Sequence, residues 1–184
     1  MSEPLPEAEV AARLQALVGQ LQRELSGFSI VYKDESRLHR AIATLVWPFN
    51  RRYAQDYTTV LFGHIAFPSR TYASKLGVRG QYEIICHEAV HLRDARSWPL
   101  LFELSYLLLP LPALLTCRAL WEWRGYRASL RARHELGLAV DDGWIDGVVA
   151  RFTGPDYLYM FVWGGLVRRA LQRERARLDG EAST

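Results

Sequence analysis

Residues 82–98 read YEIICHEAVHLRDARSW, and the five letters at their centre, HEAVH from His87 to His91, decide how the rest of the chain is read. On an α-helix, residues four apart stand one above the other. His87 and His91 therefore direct two imidazoles at one point, as two ligands of a tetrahedral metal ion must. Glu88 is turned by about 100° from His87. It comes within reach of a water that such an ion would hold, which is where a general base belongs. The opposite face carries Ile85, Ala89 and Leu92 and would anchor the helix in a core. Asp94 lies on the histidine side, three residues after His91. It is either a hydrogen-bond partner that orients an imidazole or a helix-surface carboxylate. The competing account of the motif is a helix whose histidines are packed or exposed without a metal.

Working outward, the motif helix is expected over about residues 80–95, by the hydrophobic periodicity of the stretch. Upstream, DYTTVLFGHIAF is rich in β-branched and aromatic residues and stops at Pro68, so it reads as one strand. Gly63 within it marks a bulge or a close backbone approach. PSRTYASKLGVRG then reads as a connecting segment. Further back, Val10, Leu14, Leu17, Val18, Leu21 and Leu25 recur at helical spacing and Ser26–Gly27 ends that helix. FSIVYK is a short strand, and DESRLHRAIATLVW a helix capped by Asp34 or Ser36. Downstream, Pro112 opens and Gly137 closes one long helix. DDGWIDGVVARFT begins with acidic caps, and GPDYLYMFVWGGLVRRALQRERARL holds a turn, an aromatic stretch and a final basic helix. The expected fold is α+β, predominantly helical, with a small β-sheet packed on the HEAVH helix. One domain over 1–184 is expected, frayed at about 1–6 and 179–184.

Composition narrows the partners. The chain has 184 residues and a net charge of +3. Basic residues gather over Arg118–Arg133 and Arg168–Arg177, but acidic residues interrupt both runs. They read as solvated helix faces and no nucleic-acid partner is expected. Two cysteines, Cys86 and Cys117, are too few for a disulfide-stapled secreted protein, and the N-terminus shows no apolar signal region; the expectation is cytoplasmic. The most apolar run, Leu104 to Cys117, is about 14 residues, short of the roughly 20 that span a bilayer. Membrane contact through that run is the weaker alternative.

HEAVH preceded by a strand and followed by a helix bearing a glutamate resembles the gluzincin type of zinc metallopeptidase in a compact form. The resemblance covers about Asp56 to Arg127. It implies a zincin-like fold, one Zn²⁺ and a peptide or protein substrate. His87 and His91 match the histidine ligands and Glu88 matches the base. It implies a third ligand, a glutamate on a later helix, for which Glu122 in RALWEWRGYR is the best candidate. Glu122 sits among Leu120, Trp121 and Trp123, and shares a face with Arg118 and Tyr126. A buried carboxylate there needs a partner, and a metal or Arg118 would serve. Glu103, His134, His64, Asp141 and Asp142 are weaker choices, the last two reading as helix caps. The resemblance also implies a tyrosine or histidine that stabilises the oxyanion. Tyr126 is the choice, with Tyr157, Tyr159 and His134 as alternatives. The strand before the motif would match the edge that pairs with substrate backbone. Two other accounts stand beside this one. The chain could be a non-catalytic metal-binding module of a larger assembly, such as a phage or secretion particle, or a membrane-associated peptidase.

Overall fold

The computed structural model describes residues 3–47, 52–99, 101–102, 105, 112–154 and 159–181. Most of these are helical and three short strands form one sheet, so the chain is α+β as its sequence leads one to expect. The chain divides into two compact units. One is Leu5–Leu92; the other joins Met1–Pro4 to Arg93–Thr184.

The first unit opens with α1 (Glu7–Glu24), β1 (Ser29–Tyr32) and α2 (Arg37–Val46). Ser36 caps α2, its side chain accepting from the His39 amide, which satisfies one of the free N–H groups of the first turn. β2 (Thr59–Leu61) and β3 (His64–Phe67) follow, in the order β1-β3-β2. β1 runs parallel to β3, with Ser29 opposite His64, and α2 lies in the crossover between them. β2 runs antiparallel to β3, with Leu61 opposite His64.

The single strand expected over DYTTVLFGHIAF is thus a hairpin. Phe62 and Gly63 take φ of 48° and 78°, positive at both turn positions. That is the mark of the two-residue turn whose twist matches the flanking strands. Gly63 is the turn rather than a bulge. Phe62 hid it, because Asn or Asp is the usual residue at that position.

A second correction concerns the segment before the motif. α3 runs Arg70–Ser97, interrupted at Gly77, where φ 63° and ψ 177° leave the helical region. PSRTYASKLGVRG is therefore mostly helix, not connection. Ser69 starts it by accepting the Tyr72 amide at 3.0 Å. Only glycine takes the Gly77 conformation cheaply. Ile85, Ala89 and Leu92 are buried in one cluster with Leu21, Phe28, Ile65 and Phe67, as the face opposite the histidines requires.

In the second unit the last turn of α3 is followed by α4 (Pro112–Glu135), α5 (Asp142–Thr153) and α6 (Gly164–Glu181). Tyr126, Leu130, Ile145, Val148, Val167 and Leu171 form its core. α4 ends as its sequence dictates. The Gly137 amide donates to the His134 carbonyl at 3.0 Å and the Leu138 amide to Arg133 at 2.8 Å. This closes the helix through a left-handed residue, Gly137 at φ 67°. A Cβ there would also stand 2.7 Å from the Glu3 carbonyl oxygen. Asp141 caps α5 by accepting the Trp144 amide at 2.8 Å.

Candidate metal centre

α3 sets His87 and His91 one turn apart on the face away from its core contacts. Their Nε2 atoms are 3.0 Å apart, with ring centroids at 4.8 Å and planes at 73°. Two nitrogens each about 2.05 Å from one tetrahedral zinc stand about 3.3 Å apart. The observed spacing is close to that, and it is also the spacing of one N–H···N hydrogen bond between neutral rings. Glu122 lies on α4. Ligand atoms of His87, His91 and Glu122 all lie within 4.8 Å of one another. His91 and Glu122 are both buried, at 4 % exposure each, and His87 is half-buried. Two imidazoles and a carboxylate converging in a largely desolvated place are a donor set that fits a divalent metal ion. The group could hold one.

Glu88, next to the first histidine, is buried as well. No motif in the sequence points to the charge in its vicinity. Lys33, at the end of β1, is 1 % exposed. Its Nζ donates to the carbonyls of Tyr53 at 2.8 Å and Tyr57 at 2.6 Å and stands 4.0 Å over the Tyr53 ring. Burial lowers its pKa to about 7, against the opposing pull of the Glu88 charge. His39 is held below its ordinary value by burial, with Lys33 and His64 adding to the effect. Its Nδ1 lies 3.0 Å from the Tyr53 hydroxyl. The signal in the sequence was slight: Lys33 is one of two lysines, at the end of a strand and next to an aromatic.

This lysine has a measurable consequence. Between about pH 7 and 10 the unfolded chain holds a proton on Lys33 that the folded chain does not. Stability from Lys33 is therefore present above the unfolded pKa and lost as pH falls towards 7. Wild type should gain on Lys33→Met by up to about 1.4 kcal/mol per pH unit from pH 7 to 9, read from urea unfolding at each pH. A pH-independent gap would mean that Lys33 stays charged.

Asp94 does something other than either expectation. It is 2 % exposed, and its Oδ1 lies 2.7 Å from Nη1 of Arg124 on α4. Its Oδ2 has no hydrogen-bond partner among the described residues. Burial raises its pKa and Arg124 opposes the rise.

The remaining candidates are dispersed. The Tyr126 ring packs at 5.7 Å from that of Phe152 in the helical core. Tyr159 is exposed with φ 53°. His134 Nε2 is 3.6 Å from Asp179, and His64 Nδ1 is 2.9 Å from the Ser29 hydroxyl across the paired strands. Glu103 and Tyr157 lie outside the described residues, as does half of the Leu104–Cys117 run. Among the described residues no helix is long and apolar enough to cross a membrane. The chain matches no protein-family model, no curated protein and no solved structure.

Proposed function

We propose that the chain is a zinc-dependent peptidase of the gluzincin type, a compact zincin-like protein in which His87, His91 and Glu122 hold one Zn²⁺. The observation that carries this reading is the convergence of a glutamate from a later helix on the two histidines of HEAVH. Three protein ligands of the kind His₂Glu characterise catalytic zinc, which keeps a fourth position open. When bound, zinc supplies Lewis-acid polarisation of a carbonyl and lowers the pKa of water.

The chain's own residues carry the proton. Glu88 accepts a proton from the attacking water as its oxygen bonds to the peptide carbonyl carbon. The same carboxyl group then delivers that proton to the amide nitrogen as the C–N bond breaks, leaving a carboxylic acid and an amine, between which the second proton of the water passes to give carboxylate and ammonium. Tyr126, one turn after Glu122 on α4, is the proposed oxyanion donor. Peptide or protein is the proposed substrate. β2 lies at an edge of the sheet, and an edge strand can pair with an extended backbone. The test is hydrolysis of a peptide library by zinc-loaded wild type beside Glu88→Gln. Cleavage by wild type alone supports the reading. Zinc binding without cleavage of any peptide would make the chain a non-catalytic metal-binding module.

A further inference from the structure

The Asp94–Arg124 pair joins the turn of α3 that follows His91 to the turn of α4 that holds Glu122. Asp94 is three residues beyond His91, and Arg124 two beyond Glu122. Their contact is short, at 2.7 Å, and asymmetric: the carboxylate is buried, while about half of the guanidinium side chain faces solvent. A charge-assisted hydrogen bond of this length is directional, and a buried carboxylate is costly to leave without its cation. The pair therefore ties α4 to the end of α3 at one point within the second unit. The packing beside it points the same way, with the Arg124 guanidinium 6.0 Å from the Trp121 ring and that ring 6.1 Å from Phe102.

We propose that Asp94 and Arg124 are positioning residues of the metal centre, an ion pair that sets the approach of Glu122 to the histidines without touching the metal. The inference rests on the metal reading above and deepens it. A glutamate side chain displaced by an ångström no longer completes a site with bond lengths near 2.0–2.2 Å. Residues that orient ligands from behind are typically worth 10- to 100-fold in metal affinity.

The experiment is competition titration of Zn²⁺ against a chromophoric chelator, on purified full-length protein. The variants are Asp94→Asn, Arg124→Gln, the pair together and Arg124→Lys. Leu171→Ala serves as a control that destabilises the core of the same unit. Arg124→Gln and Asp94→Asn are each expected to weaken zinc by about 10- to 100-fold. The double variant should lose little more than either single one, because one interaction is removed. Arg124→Lys, which keeps the charge, should recover most of the affinity. Leu171→Ala should bind zinc like wild type although it costs about 2–5 kcal/mol of stability. Arg124 is about half-exposed, and Asp94→Asn removes the charge that Arg124→Gln would leave buried, so the two single variants test the pair through different costs to the fold. The proposal is overturned if wild type binds zinc and Arg124→Gln stays within about threefold of it, below the range expected for orienting residues. It is overturned equally if Leu171→Ala loses as much affinity as Arg124→Gln. A wild type that binds no zinc would overturn the metal reading itself and this inference with it.

Discussion

Glu88→Gln is expected to keep its zinc and to lose peptide hydrolysis by about 10²- to 10⁴-fold, the usual worth of a positioned general base. The substitution preserves shape and removes the proton acceptor. It leaves His87, His91 and Glu122 in place, so metal content should remain at one ion per chain. Loss of kcat/KM with unchanged zinc is the signature of a missing base rather than a missing site. Glu88 is buried, so the neutral amide should be accommodated without exposing new surface. The ammonium of Lys33 loses the field that now favours its charged form. The variant should therefore show a still lower Lys33 pKa, which extends the window of pH-dependent stability downward. Hydrolysis retained at the wild-type rate would place the base elsewhere.

Glu122→Ala is expected to weaken zinc by on the order of 10²- to 10³-fold. Four-ligand structural zinc sites supply about 10–16 kcal/mol, and one ligand's share is about 3–4 kcal/mol. His91→Ala should do at least as much, since it leaves a single histidine on α3. The thermal unfolding midpoint of the metal-free variants separates a lost ligand from a lost fold. A Glu122→Ala protein that unfolds like metal-free wild type and binds zinc as tightly as wild type would remove Glu122 from the site.

Helix boundaries were legible where a local signal stood alone. Pro112 and Gly137 bracket α4, and Ser36 and Asp141 cap α2 and α5, because orphan amides and carbonyls at helix ends demand those residues nearby. The hairpin at Phe62–Gly63 was not legible. Its apolar run continues into the turn, and a bulky aromatic occupies a position that positive φ makes unfavourable. Ser69 carries a cap signal, but Gly77 and Gly80 give the stretch that follows the composition of a connection. At the candidate site, period and chemistry placed His87, Glu88 and His91 on one helix. A glutamate some thirty residues on could only be nominated, and its proximity to the histidines depends on how α4 packs. Nothing local in the sequence marks the roles of Lys33 and Arg124, for the same reason. A buried lysine and a cross-helix ion pair are tertiary facts with no periodicity of their own.

X-ray absorption at the zinc edge of the loaded wild-type protein tests the central claim most directly. Two imidazole nitrogens and carboxylate or water oxygens at about 2.0–2.2 Å, with no sulfur, are the predicted shell. A sulfur scatterer near 2.3 Å, supplied by Cys86 beside His87, or a shell without imidazole, would contradict the assignment of His87, His91 and Glu122.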